Sequence, residues 1–296
     1  QDRALVEALL KVARQRQKDA ADGPNAAEAQ AVAQLAVAAE LYDAADEQYR
    51  IAAENDEERR PAIYESWGLQ MFMAEQFDRA AGVFRKAIDA GVAPRFNADY
   101  YYYLAAALEF DGQTELAIEA AAKAAKEKGD SPRFAGRRPW VLYHAKRYKE
   151  AEQAYLKLLE KYDDDHSDAA RAVARETRLI LSNIAIHLDR MPDAEEWLEQ
   201  VLDEYPEDIG ALNDLGYLWA DQGKRLNRSL RMVQAAVAGE PDNAAYRDSL
   251  GWAHYRLGNF SDAIKHLEEA AQAIEETPDG VIMDHLGDVY SAAGRK

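Results

Sequence analysis

The chain of 296 residues contains no cysteine. That absence excludes disulfides, thiol nucleophiles and cysteine-based zinc sites together. It leaves the cellular compartment open. Proline is scarce, at 9 residues, so few interior breakers oppose helix, and helix is favoured over sheet. No apolar run approaches the roughly 18 residues that a membrane span requires, and no secretory leader is visible. The sequence starts at Gln1 rather than Met, so an upstream signal, anchor or further repeats are expected to have preceded it. Positive charge is also in short supply: 36 basic residues face 54 acidic ones, for a net charge of −18. Such a surface repels phosphate backbones and anionic lipid, so neither nucleic acid nor a membrane is an expected partner.

What is present is a repeat. Leu215-Gly216, Leu250-Gly251 and Leu286-Gly287 recur at intervals of 35 and 36 residues. A glycine inside a helix costs about 1 kcal/mol against alanine, so something must offset that cost each time. Extending the pattern along the chain gives unit starts near 26, 61, 98, 132, 175, 209, 244 and 280. Between the units lie short turns of Gly, Pro, Asn or Asp.

Within each unit the small residues fall at two fixed places. In the first helix they are Gly68, Ala105, Ser182, Gly216, Gly251 and Gly287. In the second they are Ala45, Ala80, Ala117, Ala151, Ala194, Ser229 and Ala263, and four residues on comes a larger side chain such as Tyr49, Phe84, Tyr155, Leu198, Val233 or Leu267. Pro206 and Pro241 close their units. This pattern resembles the tetratricopeptide repeat (TPR) family, whose unit of about 34 residues is two antiparallel helices, A and B. The resemblance implies an all-α fold: an α-α superhelix, a right-handed TPR solenoid of about seven hairpin units over residues 26–296, with unpaired terminal helices. Residues 1–24 read as an N-terminal helix, a cap or the remnant of an upstream repeat. Pro139 sits at the small position of the fourth unit, so irregularity is expected over 139–174, with a longer loop or extended helix. The blocks "LNDLGYLWADQG", "AYRDSLGWAHYRLG" and "DHLGD" are similar to C-terminal repeats of bacterial TPR scaffold and lipoprotein-type proteins, which implies an envelope or periplasmic setting over a cytoplasmic one.

The resemblance also implies where binding happens, in the concave groove lined by helix A. Its C-terminal stretch would carry Asn213, Asp214, Tyr217, Asp248, Ser249, Trp252, Tyr255, Arg256, Asp284, His285 and Asp288. Acids and amides there can hold the N–H groups and basic side chains of an extended peptide, while aromatics supply contact area. The same residues could instead bridge neighbouring helices. The middle stretch would carry Phe72, Met73, Tyr102, Tyr103, Phe110, Trp140 and Tyr143, with Arg133 and Arg137 nearby. Those arginines either meet a carboxylate on a bound peptide or pair, with Arg138, to Asp99, Glu109 or Asp111. The Lys/Asn pair with which chaperone-binding TPR domains clamp a terminal carboxylate is missing from every unit.

Catalysis finds little support. None of the six histidines forms a metalloprotease motif, and no phosphate-binding glycine loop occurs. Ser249 lacks a nucleophile-elbow context. Asp284 and Asp288 share a helix face and could in principle ligate a metal, but such pairs usually face solvent. The reading is therefore a non-catalytic scaffold or adaptor without cofactor or metal. It would bind a protein or extended peptide, with basic segments suited to Asp214, Asp248 and Asp284, and with Tyr217, Trp252 and Trp140 as anchors. Two alternatives remain: a self-association module dimerising through its terminal helices, or an accessory domain of a larger envelope protein or enzyme.

Overall fold

A computed structural model describes residues 3–21, 23–274 and 277–294. Residues 1, 2, 22, 275, 276, 295 and 296, which the sequence reading placed in the terminal helix and the last units, lie outside the described residues. Among the described residues every regular element is helical. No helix is long and apolar enough to cross a membrane. The chain divides into two compact units, residues 1–173 and 174–296.

The first unit holds α1 (Arg3–Asp19), α2 (Ala26–Ala38), α3 (Tyr42–Glu54), α4 (Arg60–Met73), α5 (Phe77–Asp89), α6 (Asn97–Phe110), α7 (Thr114–Glu127), α8 (Pro132–Ala135), α9 (Arg137–His144) and α10 (Tyr148–Tyr162). The division falls within α11 (Asp168–His187). The second unit continues with α12 (Met191–Glu204), α13 (Ile209–Asp221), α14 (Leu226–Gly239), α15 (Ala244–Arg256), α16 (Phe260–Ala273) and α17 (Gly280–Ala292).

The turns inside the hairpins share one chemistry. Leu41, Gln76, Gln113, Arg147, Arg190, Lys224 and Asn259 each donate an N–H to the carbonyl five residues back. That bond closes the end of the first helix and requires a left-handed residue just before the donor. Gly112, Gly223 and Gly258 supply it in three turns, and Glu40, Glu75, Lys146 and Asp189 adopt it in the others. Short polar turns therefore reverse the chain at the same point of each hairpin.

The glycines of the first helices seat side chains of the second. A Cβ on Gly68 would lie 2.4 Å from the Phe84 ring, and one on Gly251 would lie 2.7 Å from Leu267. Phe84 and Leu267 are fully buried. Buried area and close packing against these rings and branches offset the propensity cost. The notch admits a side chain as well as bringing backbones near, since the Ala263 carbonyl stands 3.2 Å from the same imagined Cβ. Among the described residues no atom lies within 4 Å of a Cβ imagined on Gly287.

Pro139 is tolerated at the third residue of α9, where its missing N–H would have lacked a helical partner anyway. The first helix of that hairpin is broken at Gly136 into α8 and α9. On α1, Val6, Leu10 and Ala13 enter the core, while Leu5, Leu9 and Val12 stay exposed.

In the second unit the rings of His254 on α15 and His266 on α16 stack with centroids 5.6 Å apart. Burial is the main cause holding both imidazoles below their ordinary value of 6.5. The unfolded chain therefore takes up protons first as pH falls. Stability from this pair is fully present above pH 6.5 and is lost as the pH drops through the depressed folded values. Urea unfolding at stepped pH is expected to show that loss, and His254→Gln/His266→Gln is expected to flatten it.

Candidate functional site

Side-chain caps set the start of each first helix in the second unit, and with it which residues share a face. The Asp208 carboxylate accepts from Ala211 N–H at 2.9 Å, Asn243 from Ala245 N–H at 3.1 Å, and Asp279 from Val281 N–H at 2.8 Å. Helix α15 packs against both α13 and α17. Across these three helices runs a polar and aromatic cluster. His285 Nδ1 on α17 donates to both oxygens of Asp248 on α15, at 2.9 and 3.0 Å. Both residues are buried. Trp252 stacks on the His285 ring, with centroids 4.1 Å apart and planes at 20°. Tyr255 lies 4.9 Å from Trp252, and Tyr217 on α13 lies 6.0 Å from His285. Arg256 stands 5.8 Å from the Trp252 ring and donates to the Asp221 carbonyl, tying α15 to the end of α13.

Two buried polar atoms in this region are unmatched: Trp252 Nε1 has no acceptor, and Asn213 Oδ1 has no donor. Asn213 donates instead to Asp214 at 3.1 Å. Asp214 pairs with no cation among the described residues. Burial raises its carboxyl above the usual range, Asn213 opposes that shift, and Asp208 adds to it. Burial also pushes Tyr217 up to about 12, helped by Asp221 and Asp248.

The expected C-terminal residues thus divide. Tyr217, Asp248, Trp252, Tyr255 and His285 form one contact network, in which Asp248 bridges two first helices. Asn213 and Asp214 form a separate couple on α13. Ser249 is buried and spends its hydroxyl on the Ala245 carbonyl of its own helix, at 3.1 Å. Asp284 is exposed on α17.

The first unit carries a second cluster. Arg133 of α8 pairs with Asp99 at 3.0 Å and donates to the Tyr103 hydroxyl at 3.3 Å. Its guanidinium lies 4.5 Å from the Tyr102 ring centre. Arg137 lies 3.4 Å from the same ring centre and 4.5 Å from that of Trp140. The pairing expected with Asp99 therefore holds for Arg133. Arg137 pairs with none of Asp99, Glu109 or Asp111, because stacking on two rings takes it away from them. Trp140 packs on His144 at 4.1 Å and on Phe110 at 5.8 Å, and Phe110 stacks on Phe77 at 5.1 Å. Sequence reasoning missed His144 and Phe77. The spacing of Trp140 and His144, one helical turn apart, was the signal that could have found the first. Of the four consecutive tyrosines, only Tyr100 is fully in the core, donating to the Pro61 carbonyl at 3.0 Å.

The tetratricopeptide repeat pattern matches residues 74–132, 111–166 and 213–280, together more than half of the chain. The chain belongs to the tetratricopeptide repeat family. Its fold is all-α, of the α-α superhelix class. A TPR repeat-containing protein of Pseudomonas aeruginosa is 31% identical over 174 residues, which cover 57% of this chain and 28% of the relative. The chain thus spans 28% of the length of that curated TPR relative. Two solved structures share the fold. A TPR protein from Parabacteroides merdae superimposes with a TM-score of 0.59 at 17% identity, over 89% of this chain and 98% of that one. Pseudomonas aeruginosa pilF gives 0.59 at 17% identity, over 78% of this chain and 96% of its own. Membership of the TPR family marks an interaction scaffold as the general role.

Proposed function

We propose that this TPR chain is a non-catalytic adaptor whose second unit holds an extended, basic segment of a partner protein along α13 and α15. One observation carries the reading: Asp214 is a half-buried carboxylate that pairs with no cation among the described residues. Removing such a charge from water costs free energy unless a cation arrives to match it. An arginine or lysine on a bound peptide would do so. Tyr217, one turn from Asp214 and only partly buried, offers a ring on which a guanidinium can rest, and the buried Trp252 backs it through His285.

The test uses a fluorescein-labelled peptide alternating arginine with alanine, titrated into the whole chain. Asp214→Asn is expected to weaken binding by roughly tenfold, the size of one charge-assisted contact. Asp242→Asn, which removes the same charge from an exposed turn, is expected to leave it unchanged. Equal losses from both variants would mean that the peptide senses only the net charge, and the reading would fail.

A further inference from the structure

The first unit contains a buried cation that no carboxylate among the described residues neutralises. Arg137 is 8% exposed. Its Nε is sealed from water with no acceptor, and among the described residues no carboxylate pairs with its guanidinium. A buried arginine normally has such a partner, since the uncompensated charge is costly. The surroundings add charge of the same sign. Arg133 reaches the same Tyr102 ring and repels Arg137. Its own charge is met by Asp99. Two guanidiniums therefore crowd one tyrosine while a single carboxylate answers them.

We propose that Arg137, held between Tyr102 and Trp140, is a receptor for a carboxylate presented by a peptide segment. The rings fix the plane of the guanidinium, so its fork is already oriented when the acceptor arrives. A carboxylate matches that fork with two parallel hydrogen bonds. One unmatched cation calls for a monoanion, and the net charge of −18 disfavours more highly charged ligands such as phosphate. The wall beside Trp140 is apolar and open: Phe110, 5.8 Å from it, is 47% exposed and packs on Phe72 and Phe77. The carboxylate therefore belongs next to a large apolar side chain. This site lies in the first unit and does not rest on the Asp214 reading, so either can fail alone.

Burial of the charge without a partner lowers the affinity of Arg137 for its own proton, yet arginine remains charged at any working pH. The empty site therefore carries a standing penalty that an arriving anion relieves. Cation–π contacts with Tyr102 and Trp140 offset part of that penalty and place the group.

The probes are blocked tetrapeptides, Ac-Ala-Phe-Glu-Ala-NH2 and its Gln analogue, with Ac-Ala-Phe-Gln-Ala-OH and inorganic phosphate as further arms. Binding is followed on the whole chain by the arginine Nε–H and tryptophan indole N–H signals in NMR, with Arg137 and Trp140 assigned by substitution. The Glu peptide is expected to shift both signals saturably and to bind at least about tenfold more tightly than its blocked Gln analogue. Arg137→Gln is expected to abolish that preference, and Arg137→Lys to keep part of it. Equal binding by the free-terminus peptide would support the same carboxylate receptor with a chain end as its source. Phosphate binding in preference to the Glu peptide, no preference for Glu over Gln, or a preference that survives in folded Arg137→Gln would overturn the proposal. Should Arg137→Gln fail to fold, as judged by circular dichroism, the Glu-against-Gln comparison on the unaltered chain decides.

Discussion

Gly68→Ala is expected to destabilise the protein by about 3 kcal/mol, although alanine is the better helix former by about 1 kcal/mol. The new methyl would sit 2.4 to 2.8 Å from three carbons of the Phe84 ring. That ring has nowhere to go. Phe84 is fully buried, and it touches Tyr103 at 5.6 Å and Tyr100 at 6.4 Å between ring centres. Relief requires that α4 and α5 move apart, which opens gaps along the whole contact. The measurement is thermal or urea unfolding, and a reversal of sign makes it decisive. Phe84→Ala alone is expected to cost about 3–5 kcal/mol through the cavity it leaves. In that background Gly68→Ala should turn neutral or stabilising, because the clash is gone and the propensity gain remains. If Gly68→Ala is as harmful without the ring as with it, the glycine serves some purpose other than seating Phe84.

That glycine also shows why the fold was legible. A residue type that weakens a helix, repeated at the same distance from a small-then-large pair in the next helix, has one economical explanation in packing. The helix starts near 26, 60, 97, 209, 244 and 280 follow from capping residues and turn residues whose chemistry is local. The break in the fourth hairpin falls at Gly136, three residues before Pro139, which α9 accommodates in its first turn. The candidate sites were legible only as lists of residues. The pattern places Asp248 and His285 on helices one unit apart, but whether a carboxylate faces a ligand or a histidine depends on side-chain direction across an interface. The outcome for Arg133 and Arg137 differs by one helical turn: one reaches Asp99, and the other is caught between two rings. Periodicity cannot separate such cases, because the two residues stand four apart, on α8 and α9, and both reach the Tyr102 ring. Repeat register ranks positions well and pairings poorly.

The Asp248–His285 pair carries the second large effect. His285→Ala is expected to cost about 3–4 kcal/mol, because it strands a carboxylate that is 5% exposed. It also strips Trp252 of the ring stacked on it at 4.1 Å. Asp248→Leu/His285→Leu removes both polar partners, and its expected cost is under about 1.5 kcal/mol, since nothing charged is then left unpaired. The contrast matters for function. If the double variant folds about as well as the parent, the pair is not there for stability, and its effect is positional: it fixes the tilt of Trp252 between α15 and α17. Binding of the arginine-alternating peptide should then weaken in the double variant while unfolding barely changes. A double variant as unstable as His285→Ala would show instead that the pair serves to join two helices, and Trp252 would lose its standing as a groove anchor.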